Sequence, residues 1–361
     1  MRVVTYYQGA LERDSGPSLS VRGWAEALAN AGAEVKLVVD KATARLSAPE
    51  NVDLVTVSHT LRGRLRRPAS LSGALRAADV LVLGGFGTLA NVVAMREARR
   101  LGVPYIVAAY GVFFPRILDR KLRRKQLWNL SLERNLLRRA LAIHLFFREE
   151  GEGLDRLGVD VPLIVVPTGF APPPNVTWQG GGEYVLWLGR FDVQTKGLDL
   201  LLRGIQVLPP AERPRFLLHG PDWRGGRDVV SALISELGLR ESVTVGEPVY
   251  GAEKWRLLSE AAAFVYPSRW DACPVSVLEA TSIGVPTLTT PYALGRLLGE
   301  HGGVSVVDPT PDAIADGIRE VSGPAGAEIG RSGARVVREE LAWPRLASSW
   351  LSQVEALLEA A

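Results

Sequence analysis

The sequence predicts an α/β protein of two doubly wound domains, each a mostly parallel sheet covered by helices. Three observations carry that expectation. Strand-length apolar runs alternate with amphipathic helix patterns from the first residues onward; the alternation breaks near the middle, at PTGFAPPPNVTWQGGGEY; and it then restarts with the same grammar. With 361 residues, 47% of them hydrophobic and 22% charged, the chain is long enough for two cores and carries no compositional sign of disorder.

The elements follow in order. Val3 and Val4 open a strand, the loop YYQGALERDSGPS follows, and Val21, Trp24, Ala25 and Leu28 mark one face of a helix that Gly32 can end. VKLVVD is the next strand. The stretch DVLVLGGFGTLANVVAMREARRLGVPYIVAAYG reads as strand, glycine turn, helix, stop and strand. Prolines and glycines without periodicity then suit a linker over 171–183, which divides a first domain (1–170) from a second (184–340). The second domain runs YVLWL, a helix after Gly197, FLLHGP, a helix through Val229, Leu233 and Leu237, VTVGEP, AFVYPS, a further helix and PTLTT. Two Rossmann-like domains facing each other would leave a cleft between them, the default place for a ligand.

Composition narrows the chemistry. The longest apolar runs, such as VLVL and LIVV, fall far short of a bilayer span, and the N-terminus enters a strand without a charged leader, so a cytoplasmic location is expected. Cys273 is the single cysteine, and His59, His144, His219 and His301 are scattered, so neither a disulfide nor a Cys- or His-based metal site is expected. The net charge of +3 implies only mild attraction to anions. One local exception stands out between Arg116 and Arg139, where Arg120, Lys121, Arg123, Arg124, Lys125, Arg134 and Arg138 oppose only Asp119 and Glu133, with leucines at helical spacing. This reads as a basic amphipathic helix, either a solvated face or a contact for an anionic membrane surface or acceptor. Nucleic acid is not expected, because no aromatic interleaving or binding motif accompanies the charge.

The stretch WLGRFDVQTKG places Arg190 and Lys196 where the YVLWL strand hands over to a helix with Leu198, Leu201, Leu202 and Ile205 on one face and Thr195 as its N-cap. In doubly wound sheets ligands bind outside the carboxyl ends of the strands, and a helix start favours an anion. Of the 42 basic residues only six are lysines, so a lysine at this turn is unusual for this chain. A compact ammonium beside a planar guanidinium suits a diphosphate.

A second constellation lies in AFVYPSRWDACPVSVLEATSIGVPTLTT. Pro274 fits the first position of a helix whose amides at Val275, Ser276 and Val277 would be free for an anion. Asp271 precedes that helix and Glu279 lies within it; two acceptor-only carboxylates there can hold sugar hydroxyls. Such acidic pairs also arise as a capping Asp and a surface Glu; the GRxxxxxKG stretch some eighty residues earlier favours the binding reading.

With both motifs in hand, the chain resembles the family 4 glycosyltransferases of GT-B fold, retaining enzymes that use nucleotide-sugar donors. GRFDVQTKG is similar to the family's glycine-arginine to lysine-glycine signature, and DACPVSVLEA to its acidic-X7-Glu motif, with Asp in the usual first Glu position. VVPTGF and LAWPRLASSW are weaker matches. The resemblance implies that Arg190 and Lys196 neutralise the donor diphosphate and stabilise the departing nucleoside diphosphate. Glu279 would accept from the ribose, and Asp271 would bind the donor sugar with the amides of Cys273, Val275 and Ser276 nearby. Gly16 would let the first loop approach phosphate or acceptor, and Gly220 and Tyr250 would border the nucleotide. The last helix, within 341–361, would cross back to the first domain, which takes the acceptor side. No metal is implied, and the donor is expected to be a UDP- or GDP-sugar. Tyr110 stands before Gly111 where the family carries histidine. A phenol with a pKa of about 10 is a poor base, so retention with the leaving phosphate taking the acceptor's proton is the implied route.

The resemblance leaves the acceptor open between glycolipid or polysaccharide assembly and natural-product glycosylation, and leaves a non-catalytic protein that binds nucleotide sugar or an envelope partner as the alternative. A nicotinamide enzyme is disfavoured: GGFGTLA contains G-x-G-x-x-A after a strand, but the acidic residue expected after the next strand is missing from PYIVAAYG.

Overall fold

A computed structural model of the chain describes residues 1–8, 16–40, 50–60, 68–115, 118 and 127–361. It divides into two compact units, residues 1–169 with 343–361, and residues 170–342.

The first unit contains β1 (Arg2–Tyr7), α1 (Gly16–Asn30), β2 (Glu34–Asp40), β3 (Val52–Val57), α2 (Ser72–Leu75), β4 (Val80–Gly84), α3 (Leu89–Arg100), β5 (Tyr105–Ala108), α4 (Leu127–Arg138), β6 (Ala142–Leu145), α5 (Gly151–Arg156) and β7 (Leu163–Val165). Its sheet has the order β3-β2-β1-β4-β5-β6-β7 with every pair parallel. β4 and β5 are buried along their whole length, as strands covered on both faces must be.

The second unit contains β8 (Tyr184–Leu188), α6 (Val193–Lys196), α7 (Leu198–Val207), β9 (Arg215–His219), α8 (Gly226–Glu236), β10 (Val243–Gly246), α9 (Gly251–Ser259), β11 (Ala263–Tyr266), α10 (Val275–Ser282), β12 (Thr287–Thr289), α11 (Ala293–Glu300), β13 (Ser305–Val306), α12 (Pro311–Ser322) and α13 (Gly326–Glu340). Its parallel sheet runs β10-β9-β8-β11-β12-β13. The strand order therefore reverses between β8 and β11, the kind of position at which doubly wound sheets bind their ligands. The Pro- and Gly-rich stretch before β8 packs on this unit: the Trp178 indole N–H donates to the Ala261 carbonyl at 2.7 Å, and the Gln179 amide to the Ser259 carbonyl at 3.0 Å.

The last helix, α14 (Trp343–Glu359), packs against α1 in the first unit. Trp24 meets Trp343 edge-on at 5.4 Å and His144 edge-on at 5.0 Å, and Trp350 at a tilt at 6.3 Å. Gly23 and Gly169 make room for Trp343, since a Cβ at either would lie 2.2 or 2.5 Å from its ring. No helix among the described residues is long and apolar enough to cross a membrane.

One buried ionisable group, His144, lies in β6 and another, Glu150, follows it. His144 is fixed by the Val166 carbonyl at 2.8 Å, and burial pulls its pKa down to about 4. Glu150 accepts the amides of Phe146 at 2.8 Å and Phe147 at 3.3 Å, reaching back as a capping glutamate does, yet burial pushes its pKa up to about 7. Their effects on stability have opposite signs. Between pH 4.5 and about 7 the folded state holds a proton on Glu150 that the unfolded chain releases, so this contribution falls as pH rises. Between about pH 4 and 6.5 the unfolded chain protonates a histidine that the folded state keeps neutral, so that contribution falls as pH drops. Glu150→Gln keeps an amide oxygen for both backbone bonds and removes one side of the balance. Its stability relative to the unsubstituted chain should rise between pH 4.5 and 7 by on the order of 3 kcal/mol in total. Urea unfolding across that range checks this, and parallel pH profiles for the two proteins contradict it.

Candidate functional site

The site grows from the two loops that leave β8 and β11. After β8, the amides of Gly189 and Phe191 bond across to the carbonyls of His219 at 3.1 Å and Pro221 at 3.0 Å. That pairing brings Arg190 over the Trp223 indole, with the guanidinium carbon 4.5 Å from the ring centroid. Asp192, not Thr195, is the N-cap that begins the short helix α6; its carboxylate accepts the Thr195 amide at 3.3 Å, and its carbonyl accepts the Lys196 amide at 2.8 Å. The helix with the leucine face, α7, begins after Gly197, which adopts the left-handed φ of 65°. The expectation of a Thr195 cap fails because a separate helical turn intervenes.

Gly197 is required for a second reason: a Cβ there would lie 1.9 Å from the Pro267 carbonyl oxygen. The two loops are locked together around this contact. The Ser268 hydroxyl and the Arg269 amide both donate to the Thr195 carbonyl, at 2.7 and 3.0 Å. The Arg269 guanidinium forks onto Asp199 with two bonds of 2.7 Å. The clamp leaves the Lys196 ammonium paired with the Asp271 carboxylate, both side chains largely out of solvent.

Asp271 is held from three sides. Oδ2 takes Lys196 and the Tyr266 hydroxyl at 3.1 Å, and Oδ1 takes the amide of Ala272 at 3.0 Å. Burial and then the Asp271 charge push the Tyr266 phenol well above its usual range, so it stays a neutral donor. Ser276 bonds to the same phenol, and the Arg190 charge also reaches it. Tyr292, edge-on to Tyr266 at 6.3 Å, feels both Asp271 and the Cys273 thiol. Arg190, Lys196, Asp271 and Ser276 thus converge around Tyr266, a residue the motif reading did not single out, with Cys273 beside Tyr292.

The remaining carboxylate carries its own cation. Lys254, near the start of α9, reaches Glu279 on α10 with Nζ 2.5 Å from Oε1, and both side chains are nearly buried. Lys254 was also missed. The rarity of lysine that drew attention to Lys196 applies equally to it. The arrangement therefore offers two buried lysine–carboxylate pairs, an exposed arginine and the start of α10, a set suited to a diphosphate and to hydroxyls.

Other expected positions need correction. Pro274 is the N-cap of α10 rather than its first residue, and its carbonyl accepts the Val277 amide at 3.1 Å. The amides without an intrahelical acceptor are those of Val275 and Ser276. Gly220 follows β9, and a Cβ on it would sit 1.7 Å from the Gly189 carbonyl oxygen; crossing backbones explain this glycine. Tyr250 precedes α9 and is 53% exposed. Gly16 begins α1 instead of lying in the preceding loop, whose residues 9–15 are outside the described set. Of the basic stretch, residues 116–117 and 119–126 lie outside the described set; Arg138, on α4, donates to the Gly158 carbonyl at 3.0 Å.

Tyr110 belongs to the first unit. It follows β5 with a left-handed φ of 53°, ahead of Gly111 at 80°, and its ring meets Tyr7 edge-on at 6.4 Å. Burial, and then Tyr7, push its phenol up, so it cannot serve as a base near neutral pH. A tyrosine in the left-handed region is strained, and such strain gathers at functional sites. Among the described residues no three His, Cys, Asp or Glu side chains gather as a metal would need.

Two family models match the chain: the glycosyl transferase 4-like domain over residues 15–169 and the glycosyl transferases group 1 over residues 182–323. The GDP-mannose:cellobiosyl-diphosphopolyprenol alpha-mannosyltransferase of Xanthomonas campestris is 26% identical over 276 residues, spanning 74% of this chain and 71% of that protein. O-antigen chain mannosyltransferase B of Escherichia coli is 33% identical over 144 residues, covering 39% of this chain and 36% of that protein. Among solved structures, Anabaena HepE in complex with UDP-glucose superposes with a TM-score of 0.78 at 16% identity, over 99% of this chain and 100% of that one.

Gly197→Ala should test the clamp. It forces a Cβ into the left-handed region and against Pro267, so we expect a loss of about 2 kcal/mol or more in stability. A thermal melt checks this, and an unchanged midpoint contradicts it.

Proposed function

The chain belongs to the family 4 glycosyltransferases of GT-B fold, and on that premise we propose that it transfers a hexose from a nucleoside-diphosphate sugar to a hydroxyl of a lipid-linked saccharide, with retention at the anomeric carbon. The observation that carries this proposal is the buried Lys196–Asp271 pair at the reversal of strand order, with Arg190 beside it. Lys196 and Arg190 would receive the donor diphosphate, together with the amides of Val275 and Ser276. Their charge meets the negative charge that grows on the leaving nucleoside diphosphate, which is where stabilisation lowers the barrier. Asp271, with Oδ2 already on Lys196 and Tyr266, would both orient the ammonium and accept a sugar hydroxyl through its remaining capacity. Glu279 would accept from the ribose.

The first unit would supply the acceptor side. Tyr110 acts in this scheme as a neutral hydrogen-bond donor, so the acceptor's proton would pass to the leaving phosphate oxygen as the new glycosidic bond forms on the same face. The sequence relative named above uses GDP-mannose and a diphosphopolyprenol-linked acceptor. This makes a GDP-hexose and a polyprenyl diphosphate-linked saccharide the first pair to assay here, ahead of UDP-glucose. The cationic sequence between Arg116 and Arg139 suits the diphosphate of such a lipid or the anionic surface that carries it.

Two variants test the donor assignment. Lys196→Met should lower turnover at least tenfold, about 1.4 kcal/mol or more of lost transition-state stabilisation, with GDP-mannose and UDP-glucose assayed against a polyprenyl diphosphate-linked disaccharide. Arg190→Ala should mainly weaken binding of the nucleoside diphosphate, read by titration calorimetry. Turnover within twofold of the unsubstituted enzyme in Lys196→Met would remove the diphosphate from this loop.

A further inference from the structure

Lys254 breaks two rules of its surroundings. It lies in the first turn of α9, where the helix dipole disfavours a cation, and its side chain is only 14% exposed although lysines seek water. Its position is also fixed twice over. Nζ lies 2.5 Å from Oε1 of Glu279 and 5.5 Å from the centroid of the Trp255 ring. The charge of Lys254 is thus directed at Glu279 within the second unit.

The reason for the arrangement lies with Glu279. A carboxylate with 7% exposure needs a counter-charge in place of water, and to serve two hydroxyls its oxygens must be held in one orientation. A group that must accept from two neighbouring hydroxyls has to remain acceptor-only and hold one orientation. One oxygen anchored on an ammonium meets both needs, as outer partners do for groups that contact a ligand.

We propose that Lys254 is a positioning residue of the nucleotide site: by pairing with Oε1 of Glu279 it orients that carboxylate towards the vicinal hydroxyls of the nucleoside ribose. The inference rests on the proposed role of Glu279 as the ribose acceptor. Lys254 contributes through Glu279 and not by touching the phosphates, so its loss is felt only by ligands that carry the two hydroxyls.

The test compares GDP and UDP with their 2′,3′-dideoxy counterparts by titration calorimetry, using the unsubstituted chain, Lys254→Met, Glu279→Gln and the double variant. The unsubstituted chain should prefer the ribonucleotide by about tenfold, the size of one hydrogen bond to a charged group. Lys254→Met should bring that preference close to one while leaving dideoxynucleotide affinity within about twofold. In the Glu279→Gln background, adding Lys254→Met should cost nothing further. This comparison stands even where the single lysine variant folds poorly, since the double variant leaves no buried charge unpaired. Equal weakening of ribo- and dideoxynucleotides by Lys254→Met, or a further loss in the double variant, would overturn the proposal while leaving the role of Glu279 intact. If the unsubstituted chain binds nucleotide but does not distinguish the two ligands, the ribose role of Glu279 fails and the inference falls with it.

Discussion

A lysine ammonium can leave water only beside a group that replaces its hydration, and the pairing of Lys196 with Asp271 is the interaction around which the second unit is organised. The two residues come from loops 75 positions apart. Removing either one costs stability, because it leaves the other's charge without its main partner. The fork of Arg269 on Asp199, the Ser268 hydroxyl on the Thr195 carbonyl and the missing Cβ of Gly197 all act on the same two loops. They fix the backbone so that the ion pair forms without searching for its geometry, which is the pre-organisation a charge-stabilising site needs.

The sheet explains why this happens where it does. β8 and β11 are neighbours at the reversal of strand order, and the loops that leave their carboxyl ends carry Lys196 and Asp271. Aromatic rings pack beside the Lys196–Asp271 pair: Trp187 and Tyr266 stack at 6.4 Å, Tyr292 meets Tyr266 edge-on, and the Lys196 ammonium lies 5.3 Å from the Tyr266 centroid. Rings keep water from this ion pair and strengthen its electrostatics. Tyr266 adds a hydroxyl that burial keeps neutral, so it donates to Asp271 without competing for its charge.

Much of this was legible in the sequence, for reasons that are local. YVLWL and AFVY read as buried strands, and the unusual lysine of QTKG and the acidic residues of DACPVSVLEA stood out from their immediate surroundings. What stayed hidden depends on contacts between distant segments. Asp192 was passed over as a cap because Thr195 also fits the pattern, and only the intervening turn of α6 decides between them. Gly220 was expected to border the nucleotide, and the contact that requires a glycine there, the Gly189 carbonyl 31 residues earlier, is one no motif shows. Lys254 gave no motif at all; its meaning appears only when α9 is laid beside α10. The left-handed backbone of Tyr110 was equally invisible, since tyrosine is not a residue from which that conformation would be guessed.

The central claim is that the Lys196–Asp271 pair and Arg190 form the seat of the donor diphosphate. A crystal structure with bound GDP or UDP tests it most directly. The account predicts phosphate oxygens within hydrogen-bond distance of Lys196 Nζ and the Arg190 guanidinium, close to the Val275 and Ser276 amides. A nucleotide bound with its diphosphate elsewhere, and Lys196 contacting Asp271 alone, would contradict it.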